Sequence, residues 1–258
     1  MEINNLEELS NELFCLNFEM QAMSDLLIRH EAERWVYKFM TQEIEQEHLQ
    51  RYKYALNYIN NKTVLDIACG SGYGSYFLAK NGNPKHIVGV DISKDSIRYA
   101  NHRYSHQNIE RVVANAEVYS RSNYFDTVLS FETIEHLVDF ESFLKNVYTS
   151  LIKGGKLLIS TPIVPSTQLV CNNPYHVIEW SFADFHNVIN KYFDIEKIYV
   201  QNIVLKTDIP KPGIINRLFR RLIKPRKVIR SSFEKFEGQY NINQIIEGYQ
   251  LLVCCKKN

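Results

Sequence analysis

One stretch limits the fold more than any other. In VLDIACGSGYGS, residues 64–75, an apolar run breaks into three glycines at alternate positions, Gly70, Gly72 and Gly74, and then reads on as a helix. A strand that turns directly into a helix takes its next strand in parallel, and a parallel sheet needs helices on both faces. The rest of the chain keeps that rhythm. Strand-like runs fall at 63–68, 86–91, 111–114, 125–130, 156–160, 195–200 and 249–255, with helical periodicity at 74–81, 93–104 and 139–152. The expected class is therefore α/β, with a mainly parallel sheet and ligands at the carboxyl ends of its strands near the switch point.

Two further regions flank this core. Leu6, Leu9, Leu13, Phe14, Phe18, Met23, Leu26 and Leu27 recur at helical spacing, so residues 5–29 read as one or two helices. A further helix spans about 45–59, on one face of which lie Tyr52, Ala55, Leu56 and Ile59. We accordingly divide the chain into a helical extension, 1–44, and a single larger domain, 45–258. An insertion at about 202–247, marked by Pro210, Pro212, Gly213 and Pro225, interrupts that domain.

Composition narrows the classes. No apolar run approaches the roughly 20 residues of a membrane-crossing helix, and MEINNLEELS lacks the basic head and apolar core of a secretory signal. The expected location is the cytoplasm. The five cysteines include no C-x-x-C pair, which argues against a zinc ribbon or disulfide framework. A net charge of +1 gives no global pull toward nucleic acid, which is not expected as a partner.

The glycine loop offers close backbone approach and a helix N-terminus, both suited to an anionic ligand. Asp91 closes the next strand, where a carboxylate can accept from both hydroxyls of a ribose. Its alternative role is to cap the following helix, although Ser93 also serves for that. Nicotinamide cofactors need similar parts, but the spacing here is G-x-G-x-G, not G-x-G-x-x-G. At this point VLDIACGSGYG, IVGVDIS, FDTVLSFETIEHL and LIKGGKLLISTP together resemble the successive motifs of class I S-adenosylmethionine-dependent methyltransferases. The resemblance implies a Rossmann-like sheet of seven strands, the last antiparallel. It implies a cofactor site drawn from Asp66, Ala68, Gly70, Gly72, Tyr73, Asp91, Ile92, Asn115, Ala116, Glu117 and Phe131. Asp66, Gly70 and Gly72 would meet the methionine moiety, Asp91 the ribose and Ile92 the adenine. Asn115 stands where the family often has an acid, and its carbonyl oxygen can accept from the adenine amine.

The chemistry is expected just after the fourth strand. In FETIEHL, a helical turn would put Glu132, Glu135 and His136 on one face, where His136 can act as a general base. With His176 they could instead hold a divalent cation such as Mg2+. The E-x-x-E-H pattern and the later His resemble metal-dependent small-RNA 2′-O-methyltransferases, and the first part also resembles ubiquinone-pathway O-methyltransferases. ERWVYKFMTQEIEQEHLQRYKYAL and NPYHVIEWSFADF resemble methyltransferases of bacterial surface-polysaccharide pathways. That last resemblance implies O-methylation of a sugar hydroxyl in a glycan, nucleotide-sugar or lipid-linked acceptor. Small-molecule O- or N-methylation and RNA 2′-O-methylation are the alternatives.

The segment 214–230, IINRLFRRLIKPRKVIR, opposes apolar residues to Arg217, Arg220, Arg221 and Lys224. It could dock on an anionic inner membrane face, form a lid over a phosphorylated acceptor, or pack its apolar stripe on the sheet or on a homodimer partner.

Overall fold

A computed structural model gives the chain's architecture; it describes residues 6–29, 36, 42–171, 173–206, 226–229, 234–237 and 245–257. Helices α1 (Leu6–Arg29) and α2 (Gln42–Ala55) lead into β1 (Thr63–Ile67), α3 (Tyr73–Asn81), β2 (His86–Asp91), α4 (Lys94–Arg103) and β3 (Ile109–Val113). The chain continues through β4 (Phe125–Phe131), α5 (Phe140–Ser150), β5 (Leu151–Val164), β6 (Trp180–Ser181), α6 (Phe182–Ile189) and β7 (Phe193–Lys206). It closes with β8 (Arg226–Ile229), β9 (Glu234–Lys235) and β10 (Ile245–Lys256).

The sheet runs β3-β2-β1-β4-β5-β10-β7-β8, with β6 beside β5 and β9 beside β7. β1 through β5 pair in parallel, and β10 enters between β5 and β7 antiparallel to both. This is the Rossmann-like arrangement expected, with the last strand reversed. The order turns around between β1 and β4, which leaves a crevice at their carboxyl ends.

Alternation along the strands builds two cores. Leu65 and Ile67 of β1 and Val88 and Val90 of β2 face α5 and α6, where they meet Phe143, Leu144, Val147 and Phe185. Val64 and Ile87 point the other way, onto Tyr52, Ala55 and Ile59 at α2 and Leu78 of α3. Each fully buried side chain of this size contributes roughly 1.5–3 kcal/mol. A smaller cluster, Cys15, Ala22, Val36 and Tyr99, joins α1 to α4.

Three local details depart from the sequence reading. Residues 151 and 152, expected to finish a helix, open β5, because Asp139-capped α5 ends at Ser150 and Gly154, at φ +73°, lets the strand bulge. Part of the stretch expected as an insertion extends the sheet: β7 runs on to Lys206 and pairs with β8 and β9. Arg226–Ile229, the end of the basic segment, is thus a strand, while residues 214–225 lie outside the described residues. RKVI and EK are too short and too charged to show period-2 alternation.

Gly74 fixes how α2 lies on α3. A Cβ there would sit 1.9 Å from the ring of Tyr52. Gly74→Ala should therefore push α2 outward and cost about 1–3 kcal/mol of stability, read as a lowered midpoint in chemical denaturation. An unchanged midpoint would show that α2 is not held by this contact.

Candidate active site

A cavity of about 830 Å³ opens at the switch point. The loop after β1 supplies Ala68, Cys69, Gly70 and Ser71; the end of β2 supplies Asp91 and Ile92; the loop after β3 supplies Asn115, Ala116 and Glu117. Phe131, Glu132, Glu135 and His136 close one side, with Asn173, Tyr175 and His176 beyond them.

The loop after β1 divides its glycines between two tasks. Gly70, at φ +54° with nothing near its Cβ position, faces the cavity. Gly72, at φ +79°, is packed, since a Cβ would come within 2.5 Å of Ala100. It does not line the cavity, and neither do Asp66 and Tyr73. Tyr73 is buried against Tyr104, with ring centroids 5.8 Å apart. Asp66 lies under the loop and accepts from Ser75 Oγ at 2.6 Å and from the Tyr52 hydroxyl at 3.3 Å. These three residues shape the loop from behind. Alternation explains Asp66, for it shares a strand face with buried Val64.

Asp91 is set by the backbone. Its Oδ2 accepts from Gly70 N–H at 2.9 Å and its Oδ1 from Ser93 N–H at 2.8 Å, so both oxygens keep lone pairs for a ligand in the cavity. Ser93 takes the capping role, accepting from Ser96 N–H at 3.2 Å. Beside it Ile92 is 69% exposed and Val138 is 78% exposed, an apolar pair bordering the same cavity. Asn115 spends one lone pair of its carbonyl oxygen on Glu117 N–H at 2.8 Å, and Glu117 in turn accepts from Asp139 N–H.

The acidic turn differs from its expected form. Glu132 follows β4 at φ +51°, and only Ile134–His136 make a single 3-10 turn, so the three residues do not share a helix face. Glu132 accepts from Ser160 Oγ at 2.7 Å and lies 3.6 Å from Arg51 Nη2. Glu135 is 1% exposed; one oxygen accepts from Thr161 Oγ1 at 3.0 Å, and the other has no hydrogen-bond partner among the described residues. Burial, reinforced by the charge of Glu132, pushes its carboxyl well above the usual range. His136 donates from Nδ1 to the carbonyl of Tyr175 at 2.9 Å, which leaves the lone pair on Nε2. His176 bonds Glu179 through Nδ1 and Asn173 through Nε2, each at 3.0 Å. Ligand atoms of Glu135, His136 and His176 gather within 4.8 Å of one another; Glu132 is not of that group.

Sequence reasoning missed the wall contributed by α2 and β10. Arg51 is 2% exposed, its guanidinium lies 4.8 Å from the centroid of the Tyr249 ring, and Nη1 has no hydrogen-bond partner among the described residues. His48, one turn earlier, is pushed down to about 3 by burial and by Arg51, so it is neutral. An arginine and a histidine inside QEHLQRYKY read as solvated helix residues; only the packing of α2 against β10 turns them inward.

Comparison with known proteins agrees with this geometry. Residues 59–183 match the model of a methyltransferase domain. Over 106 residues the chain is 36% identical to a ubiquinone biosynthesis O-methyltransferase of Coxiella burnetii, covering 40% of this chain and 44% of that one. It is 32% identical over 132 residues to a phosphoethanolamine N-methyltransferase of Triticum aestivum, 48% of this chain and 25% of the relative. The chain thus spans less than half the length of these relatives. Among solved structures, a Haemonchus contortus phosphoethanolamine N-methyltransferase with phosphomonomethylethanolamine and S-adenosylhomocysteine superposes with a TM-score of 0.56. That match has 17% identity and covers 81% of this chain and 53% of the other.

The buried Asp66 gives a test of the loop's foundation. Burial raises its carboxyl to about 6 from the ordinary 3.8, so its ionisation opposes folding as pH rises through that interval. Relative to wild type, Asp66→Asn should gain stability between pH 4 and pH 7, by up to about 3 kcal/mol, in denaturation curves taken across that range. A constant difference would mean that Asp66 is ionised throughout.

Proposed function

We propose that this chain, whose residues 59–183 match the model of a methyltransferase domain, is a class I S-adenosylmethionine-dependent methyltransferase that methylates a hydroxyl of a sugar-containing acceptor. The observation that carries this reading is that one cavity presents both the Asp91 carboxylate and the His136 imidazole. S-adenosylmethionine, when bound, supplies an electrophilic methyl on sulfur. Asp91 accepts from the ribose hydroxyls, Ile92 and Val138 flank the adenine, and Gly70 admits the chain of the methionine moiety. Arg51, whose Nη1 has no hydrogen-bond partner among the described residues, binds the carboxylate of that moiety.

Acceptor oxygen and methyl carbon must be held in line, and such positioning is worth about 7–11 kcal/mol. As the oxygen–carbon bond forms and the carbon–sulfur bond breaks, the hydroxyl proton passes to His136 Nε2. The Tyr175 carbonyl keeps the ring in the accepting tautomer and shares the positive charge that results. Burial disfavours the charged form of Glu135, which lies in the same turn. A hydroxyl needs this base more than a neutral amine does, which favours O- over N-methylation. For the acceptor, Asn173, Tyr175 and Tyr249 offer the polar and aromatic wall that suits a sugar. The polysaccharide-pathway resemblance of residues 33–56 and 173–185 points to the same class.

A divalent cation is a second reading, favoured by the convergence of Glu135, His136 and His176. These residues fit such an ion: Glu135 has a buried oxygen with no described partner, and ligand atoms of Glu135, His136 and His176 converge, although burial disfavours the charged carboxylate that a cation needs. The ion would bind the acceptor oxygen and acidify its hydroxyl.

Asp91→Ala should weaken binding of S-adenosylmethionine in calorimetry by roughly 1.5–3 kcal/mol, with NAD giving no signal for either protein. His136→Gln should leave that binding intact and lower turnover about 10²–10⁴-fold, with activity followed by mass spectrometry of methylated nucleotide-sugar and lipid-linked glycan acceptors. Turnover that survives exhaustive EDTA supports the base alone; loss of turnover with intact cofactor binding supports the cation. No methyl gain on any hydroxyl acceptor, with gain on an amine, would overturn the assignment.

A further inference from the structure

Helix α1 has two faces that answer to different partners. One belongs to the fold: Cys15, Glu19 and Ala22 are buried, Tyr99 donates to Glu19 at 2.9 Å, and Arg103 bonds both Glu12 and Glu19. Phe18 stacks on Tyr99 at 4.5 Å. About a third of a turn away lie Leu6, Leu9, Leu13, Leu16, Met20 and Met23, exposed by 86%, 40%, 53%, 45%, 67% and 39%. Their spacing alternates three and four without a break, and position 27, the next in the series, is again Leu. That period of 3.5 residues is narrower than the stripe of a helix lying on its own domain, and it is the seam by which one helix packs along another.

We propose that this seam pairs with the same seam of a second copy of the chain, making a homodimer through α1. Three observations select that occupant. A partner must carry a matching 3.5-residue repeat, which an identical α1 supplies by symmetry. The charge around the seam permits it: Ser10, Asn17 and Ser24 flank one side, while Glu12 and Glu19 on the other are both ion-paired to Arg103. Pairing leaves identical helices with a reduced like-charge repulsion along that side. The helix also carries Glu7, Glu8, Glu12, Glu19 and Asp25 against a single Arg29, which opposes an anionic membrane as the occupant. Finally, the six side chains present on the order of 600 Å² per copy, so a symmetric pair would bury about 1,200 Å², the lower end of stable specific interfaces.

The test is sedimentation equilibrium of the full chain at tens of micromolar. Wild type should weigh twice its 30.3 kDa. Leu13→Glu with Leu16→Glu should return it to a monomer, raising the dissociation constant at least about 100-fold, with far-ultraviolet dichroism unchanged because the α4-facing side is untouched. Met20→Ile with Met23→Leu places the residues that two-stranded seams favour and should tighten the dimer, a gain that misfolding cannot imitate. A monomeric wild type, with or without flotation on neutral phosphatidylcholine vesicles, overturns the proposal. So does a dimer indifferent to both pairs of substitutions.

Discussion

The organisation of the cavity rests on one buried carboxylate. Asp66 reaches from β1 to Tyr52 on α2 and Ser75 on α3, so it ties two helices to the strand from which the glycine loop springs. Burial opposes its charge strongly enough to raise its carboxyl to about 6, and two hydroxyl donors offset part of that cost. With both helices held, Gly74 must be bare to admit Tyr52 and Gly72 bare to admit Ala100. The turn is then closed on three sides, and its remaining face, at Gly70, opens to the cavity. There Asp91 draws the Gly70 N–H across to β2, joining the first two strand ends into one wall.

On the far side of the cavity, charge is separated by environment. Glu132 is compensated by Arg51 and Ser160, whereas among the described residues the side chain of Glu135, a few residues on, is bonded by Thr161 and by no cation. Burial and the neighbouring Glu132 carboxylate both disfavour the charged form of Glu135. Glu135 also anchors the neighbouring loop through its backbone, its carbonyl accepting from Val177 and Ile178 N–H. The loop that carries Tyr175 and His176 is thereby fixed against His136, whose ring lies 5.0 Å from that of His176. Orientation of the imidazole is thus a property of two loops together.

Residues that act through local chain order could be read from the sequence: Asp91, at the end of an apolar strand and two residues before a helix, lines the cavity, as do Gly70 and Ile92. Those that act through packing between distant segments could not. Arg51 and His48 on α2 face Tyr249 on β10, some two hundred residues later, and nothing in either segment indicates the other. Asp66, Gly72 and Tyr73 show the converse, for they stand inside the glycine-rich segment that borders the cavity and yet serve the loop from behind.

By itself, the sequence determined the α/β class, the parallel core through β5 and the reversed final strand. Hydrophobic period is a local property, and right-handed crossovers leave few ways to connect such elements. It also pointed to residues at or just beyond the ends of β1, β2 and β4 that line the cavity, among them Gly70, Asp91 and His136. The tertiary structure decided which motif residues face the cavity, because a one-residue change in strand phase moves a side chain to the opposite face. It decided as well that Glu132 parts from Glu135 and His136, through a left-handed backbone step at Glu132 that no periodicity encodes. Side-chain direction there depends on what Ser160 and Arg51 offer from other elements, and those partners meet only once the sheet has closed.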